Sequence, residues 1–242
     1  MMKILLINGS PKKKMSASGF LLTLQSLFVR GDIQRESLRT KGDHGRILKK
    51  LKDTGTVIFF LPLYVDGVPS HVLYFMKDME GYCRVNQIHL KVYLISNAGF
   101  IEGKQNEALM QVFKNFCHAC ACEWCGGIGI GGGVMLNVLR ILFFVFAGIF
   151  LLGIIISGVQ RGDWLPVEAI EIFLRQIAII VFLYSGVLFY MIRMAGAVNK
   201  GEFSGVKYTR VLVPSFLFII IANIFFIIIS LGKGGIFRGW LR

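Results

Sequence analysis

From Ile141 to Gln160 the chain runs for twenty residues without a charged side chain. A helix rises about 1.5 Å per residue, so such a stretch reaches about 30 Å, the thickness of the hydrocarbon layer of a bilayer. Two further stretches, 176–192 and 211–231, are uncharged over 17 and 21 residues. Residues 1–133 differ: 17 Lys and Arg and 10 Asp and Glu are spread through them, and no apolar run is long enough to span. The chain is therefore expected to divide into an α/β domain, residues 1–133, and an all-α hydrophobic membrane domain, residues 134–242, with about three transmembrane helices (141–160, 176–192 and 211–231). A mean hydropathy of +0.64 agrees with that division. So does a hydrophobic content of 55%, above the roughly 45–50% apolar usage of soluble domains.

Within residues 1–133, short apolar runs alternate with helical patterns. The strands are expected at Lys3 to Ile7, Ile33 to Leu38, Val57 to Leu61, Lys91 to Ser96 and Cys122 to Ile130. The helices are expected at Ser18 to Val29, Gly45 to Asp53, Ser70 to Met79 and Asn106 to Ala119. Such alternation predicts a parallel sheet covered on both faces. The runs "KILLI", "TVIFFL" and "KVYLIS" are continuously apolar, as inner strands of such a sheet must be, whereas "DIQRESL" is polar and suits an edge. The expected order is 2-1-3-4-5, which places ligands beyond the carboxyl ends of strands 1 and 3.

Three loops then matter: "NGSPKKKMSAS" after strand 1, "PLYVDGVPSH" after strand 3 and "NAGFIEGKQN" after strand 4. The first is neither a Walker A loop nor the dinucleotide motif G-x-G-x-x-G. It offers backbone amides, three hydroxyls and lysines just before a helix N-terminus, where the helix dipole favours an anion, and a terminal phosphate monoester fits best.

Taken together in this order and spacing, the three loops resemble the flavin-binding loops of the flavodoxin-like NAD(P)H-dependent FMN reductases and related oxidoreductases. The resemblance covers about residues 1–133 and implies a flavodoxin-like fold, FMN as cofactor, NAD(P)H as co-substrate and two-electron flavin chemistry. By position it implies that Ser10, Ser16 and Ser18 hold the FMN phosphate, with added charge from Lys12. Pro62, Leu63, Tyr64 and Val65 would line the isoalloxazine, and Asn97, Ala98, Gly99 and Phe100 would close its other edge. A plainer reading stands beside each: Ser16 or Ser18 as a helix N-cap, Tyr64 as a loop aromatic. Hydride transfer is done by the cofactors, so no catalytic side chain is named, and His71 is expected to be structural.

The segment "CHACACEWC" presents Cys117, Cys120, Cys122 and Cys125 at a spacing that matches no standard metal framework. Buried thiols, without metal, are expected. "GGIGIGGG" (126–133) lacks the setting of a nucleotide loop and reads as a strand end and flexible joint.

In the hydrophobic half, Glu171 and Arg175 are four apart and can pair on one helix face, near an end where charged side chains snorkel. Pro214 and Asn223 mark a kink and an interhelical hydrogen bond. Arg193, Lys200, Lys207 and Arg210 crowd the second connection against Arg161 alone in the first, which puts the second connection and the flavin domain in the cytoplasm. Lys233, Arg238 and Arg242 then fall on the opposite side, against the rule; if the second stretch only lies in the interface, the tail returns inside. The absence of histidine after His118 excludes a transmembrane haem on paired histidines. The net charge of +13 suits anionic lipid or a phosphorylated cofactor better than nucleic acid, for which no aromatic-interleaved basic stripe is present. The expected function is a membrane-anchored flavin oxidoreductase passing electrons from NAD(P)H to a quinone, flavin or other small acceptor. Membrane lipids are its surroundings, and a homo-oligomer or a membrane partner protein fits beside them. The alternatives are a non-enzymatic electron carrier or redox-sensing module tethered to a membrane complex, and a scaffold that has lost the flavin.

Overall fold

Six strands form one parallel sheet in the order β2-β1-β3-β4-β5-β6. The computed structural model describes residues 2–162, 164 and 166–232. The strands are β1 (Lys3–Asn8), β2 (Asp32–Ser37), β3 (Thr56–Pro62), β4 (Lys91–Asn97), β5 (Glu123–Gly131) and β6 (Gly205–Arg210). The first five have the flavodoxin-like order 2-1-3-4-5. Alternate residues of the central strands enter opposite cores, as the two-residue period of a strand requires. Ile4, Leu6, Ile58, Phe60, Tyr93 and Ile95 fill one core, and Leu5, Ile7, Val57, Phe59, Leu61 and Leu94 the other. β2 is the polar edge: its buried Glu36 pairs with Arg46 and Lys50 of the following helix, Lys50 Nζ at 2.7 Å.

Helices α2 (His44–Leu51), α3 (Ser70–Asn86) and α4 (Glu107–Ala119) cover one face. α3 runs a turn and more beyond the expected Met79, because Met79 and Cys83 continue its buried stripe. The other face carries α1 (Ala17–Phe28), the start of α5 (Gly133–Arg161) and the second half of α6 (Val167–Lys200). Gln25 Nε2 donates to Met191 O at 3.3 Å and Asn199 Nδ2 to Phe28 O at 3.2 Å, which fastens α6 along α1.

The sixth strand comes from beyond residue 133, in the connection between the second and third apolar helices. It pairs with β5 from Gly126↔Gly205 to Gly131↔Arg210. The turn leading into it is held by Ser204 N to Cys125 O at 2.8 Å and by Tyr93 Oη to Glu202 O at 2.7 Å. The glycines of β5 are therefore not a flexible joint. A Cβ at Gly129 would stand 2.8 Å from the Tyr208 ring and 2.9 Å from Asn106, so the lack of side chains lets β6 and the α4 entry close on the strand.

α5, α6 and α7 (Ser215–Gly232) are each long and apolar enough to cross a membrane. α5 and α6 form an antiparallel hairpin whose register is set by Tyr184 Oη donating to Leu136 O at 2.7 Å near the sheet and by Phe150 stacked on Phe173 at 4.4 Å further out. Residues Ile180 to Val198 of α6 pack against α1, α5 and the sheet, so the first half of α6 is what lies beside the uncharged run of α5. Glu171 and Arg175 pair at 2.9 Å, as their spacing predicts. Pro214 does not kink a helix but precedes α7, its carbonyl accepting from Phe218 N at 2.9 Å. Since β6 belongs to the sheet, the connection from Gly201 to Pro214 lies on the same side of the apolar helices as the α/β domain. Lys233, Arg238 and Arg242 lie outside the described residues.

Candidate functional site

The carboxyl ends of β1, β3 and β4 meet at one edge of the sheet, and Asn97 binds their loops together. Ser18, in the first turn of α1, donates its Oγ hydrogen to Asn97 Oδ1 at 3.0 Å. Leu63 N, just after β3, donates to Asn97 O at 2.9 Å. Pro62 and Asn97 are paired residues of β3 and β4. Gly9 N reaches Phe60 O at 2.9 Å, and His71 Nε2 lies 3.0 Å from Gly9 O. A carbonyl only accepts, so Nε2 carries the proton and His71 is a tie between α3 and the first loop.

The first loop gathers hydrogen-bond donors at the start of α1. Ser10 and Ser16 are buried; Ser10 Oγ accepts from Lys12 N at 3.4 Å and Ser16 Oγ caps α1 by accepting from Gly19 N at 3.0 Å. Each hydroxyl keeps its own hydrogen to donate. The amides of Ala17 and Ser18, at the start of α1, have no helical acceptor, and the helix dipole adds partial positive charge there. Lys12, in the same loop, is exposed. Ser16 is thus an N-cap and still able to donate. Ser18 is committed to Asn97, so its amide rather than its hydroxyl is what remains for a ligand.

The other two loops present apolar surface. Tyr64, Val65, Asp66 and Gly67 form a tight turn, Tyr64 N donating to Gly67 O at 3.1 Å and Gly67 N to Tyr64 O at 2.9 Å. Val65 and Asp66 have φ of 46° and 56°. A left-handed β-branched residue is unfavourable, and here it leaves Val65 fully exposed beside half-exposed Tyr64. Partial burial raises the Tyr64 phenol pKa, keeping it neutral. Opposite, Phe100 is 66% exposed, Ala98 is buried, and a Cβ at Gly99 would meet no protein atom within 4 Å. Pro62 and Leu63 are buried under the turn. The residues present fit a phosphate monoester joined to a planar apolar ring.

The last loop is hydrogen-bonded to the start of the apolar helices. Ala98 N donates to Ile130 O at 2.8 Å and Gly133 N to Ala98 O at 2.7 Å, so the first residue of α5 is bonded to the loop that carries Gly99 and Phe100.

The cysteines lie elsewhere. Cys83, Cys117, Cys120 and Cys122 are in the core under α3 and α4, and Cys125 is in the opposite core. Burial raises the Cys117 thiol and pushes Cys125 up to about 11. Among the described residues no group of three or more His, Cys, Asp or Glu side chains is placed to hold a metal ion. Reading the sequence missed the pairing role of Asn97 and two arginines near the first loop, Arg39 and Arg140. Arg140 carried a signal: it is the last charge before the uncharged run.

No protein-family model matches the chain, and no curated protein matches it. Solved structures do. The Trp repressor binding protein from Bacillus subtilis is 19% identical over 53% of this chain and 84% of its own, with a TM-score of 0.45. An NADPH-quinone reductase from P. pentosaceus is 11% identical over 57% of this chain and 94% of its own, at 0.44. The general stress protein 14 from Treponema denticola, in complex with FMN, is 14% identical over 56% of this chain and 91% of its own, at 0.45. The flavodoxin-like assignment stands on the strand order itself.

Proposed function

We propose that the protein is a membrane-held FMN oxidoreductase that takes a hydride from NAD(P)H and passes electrons to a quinone or another small acceptor. The observation that carries the proposal is that the three ligand loops are tied through Asn97 at the sheet edge from which α5 departs. FMN would supply the redox chemistry, accepting a hydride and releasing electrons. Ser10, Ser16, Lys12 and the amides of Ala17 and Ser18 would hold its phosphate. Pro62, Leu63, Tyr64 and Val65 on one side, and Asn97, Ala98, Gly99 and Phe100 on the other, would hold the ring and keep water from it. The apolar helices would keep that edge next to the bilayer, where a lipid-soluble acceptor is concentrated. Basic residues of the Gly201–Pro214 connection and its approach, Arg193, Lys200, Lys207 and Arg210, favour a cytoplasmic α/β domain.

The test is spectroscopic. Full-length protein purified in detergent should show a flavin absorbance band that bleaches anaerobically on addition of NADPH or NADH and returns on addition of a quinone. Protein that neither retains nor rebinds FMN would end the proposal. Flavin reduced quickly by a protein donor but slowly by both nicotinamides would move it to the electron-carrier alternative.

A further inference from the structure

A cavity of about 720 Å³ lies between α1, the root of α5 and the middle of α6. Lys13, Met15 and Ser16 of the first loop line it together with Gly19, Phe20, Thr23 and Leu24 of α1, and no residue of the Tyr64 or Phe100 loop does, so it shares Ser16 with the proposed FMN phosphate site but not the ring site. We propose that it is a binding site for an anionic phospholipid, with the head-group phosphate at its sheet end and an acyl chain along its helix end.

The two ends differ in chemistry. At the sheet end stand Lys13, Arg39 and Arg140, and no Asp or Glu lines the cavity. None of the three is in an ion pair among the described residues. Arg39 Nε is buried without a hydrogen-bond partner. Glu36, the acid nearest it in sequence, is taken up by Arg46 and Lys50, and Asp43, whose carboxylate feels the Arg39 charge, spends its oxygens on the backbone amides of Arg39 and Thr40 and on Arg46. A buried donor without an acceptor is costly, and one guanidinium nitrogen in a cationic recess calls for an anion. The Arg140 guanidinium sits 5.8 Å from the Phe20 ring centre, which holds it over the aromatic face and leaves its edges free.

At the other end Phe143 and Phe144, with Ile180 and Val181 across the hairpin, form an apolar wall, while Leu24 and Leu188 line the cavity on its sheet side. Phe144 and Val181 are 61% and 52% exposed, so this wall is open on its outer side. The border between the two ends coincides with the border of the uncharged run, which begins at Ile141 directly after Arg140. In a helix that crosses a bilayer from that point, Arg140 stands at head-group depth and Phe144 about one turn inside the hydrocarbon. A ligand matching this profile has a negative head and a long apolar tail. Arginine also suits the fixed geometry of a phosphate better than a neutral quinone carbonyl needs.

The test uses the full chain in detergent, with lipid retention read by native mass spectrometry after exposure to mixed phosphatidylglycerol and phosphatidylcholine, and FMN affinity read on the same samples. Wild type should keep phosphatidylglycerol about tenfold or more over phosphatidylcholine. Arg39→Gln with Arg140→Gln should lose that preference while FMN affinity stays within about twofold. Val181→Trp, which fills the apolar end and keeps all three cations, should also lose the lipid. Unchanged melting temperatures would separate these losses from misfolding; a double variant that does not fold leaves Val181→Trp to decide. Equal retention of the two lipids by wild type would overturn the proposal. So would loss of FMN with lipid retained, since the cations would then serve the cofactor's phosphate. Displacement of the lipid by millimolar inorganic phosphate, with Val181→Trp behaving as wild type, would reduce the cavity to a soluble-anion site and overturn it too.

Discussion

Ser18 and Asn97 are 79 residues apart in sequence and joined side chain to side chain at 3.0 Å, both buried. The bond fixes the first turn of α1 against the end of β4. It therefore sets where the first loop stands relative to the loop carrying Phe100. Ser18→Ala leaves Asn97 Oδ1 without that donor and should cost about 1–3 kcal/mol of stability. It should also weaken FMN and riboflavin alike, because the spacing between loops is lost for both. Thermal unfolding and flavin fluorescence titration measure the two effects; a loss confined to FMN would show that the Ser18 hydroxyl contacts the phosphate directly.

Ser10 and Ser16 act differently, since each retains a hydrogen to donate. Wild type should prefer FMN over riboflavin by orders of magnitude, charge-assisted hydrogen bonds being worth about 1.5–3 kcal/mol each. Ser10→Ala should erode that preference with little change in riboflavin affinity. Ser16→Ala should do the same and also cost about 1 kcal/mol of stability through the lost cap. Equal affinities of wild type for the two flavins would refute a phosphate site in this loop.

Tyr64→Ala, in contrast, should weaken both flavins together, because both share the ring. Stopped-flow reduction by NADPH of whatever flavin remains bound gives an independent readout. An unchanged affinity for both ligands would remove Tyr64 from the ring site.

Docking of the sixth strand rests on bare backbone. Gly129→Ala places a methyl 2.8 Å from Tyr208 and 2.9 Å from Asn106, and overpacking of this kind costs about 1–3 kcal/mol. Hydrogen exchange should quicken at Gly205 to Arg210 before it does in β1 or β3. Uniform quickening across the sheet would contradict a separately docked β6.

The Glu171–Arg175 pair lies within a turn of Phe173, which stacks on Phe150 at the middle of the uncharged run of α5. If α5 spans, the pair is far from either surface, where a lone charge costs about 2.5–3.5 kcal/mol on insertion scales. Glu171→Leu alone should then lower membrane insertion more than Glu171→Leu with Arg175→Leu, since the double change leaves no unpaired charge. Equal insertion of the single and double variants would mean that the pair sits at the surface and snorkels.

Cys117 and Cys125 should resist alkylation near neutral pH and react on unfolding, whereas Cys122, whose pKa is lowered by hydrogen bonds from Cys120 and Cys83, is shielded by burial alone. All five are buried, and Cys125 is raised from 9.0 to about 11 by burial first of all. A thiol raised in the folded state contributes stability that is intact below its ordinary value and lost as pH rises through the folded one, here between about 9 and 11. Ready labelling of the folded protein would place a thiol at the surface.

The sequence by itself determined the sheet's inner strands, the four helices of the first half and the three apolar helices, because continuous apolar runs and three- or four-residue periods are local records of burial. It also located the three loops, whose glycine, proline and serine content follows from local backbone needs. Other features were beyond its reach. β6 is a six-residue, partly exposed edge strand without a strong pattern of its own, and its pairing depends on glycines in β5 almost eighty residues earlier. The cations Lys13, Arg39 and Arg140 are far apart along the chain and share a cavity only because α6 folds back along α1. The bond from Ser18 to Asn97, and the attachment of α5 to the carboxyl edge of the sheet through Ala98 and Gly133, likewise exist only once the strands are ordered. Side-chain type and spacing record what each segment buries; which segments meet is decided by long-range packing, and a single sequence carries no local trace of it.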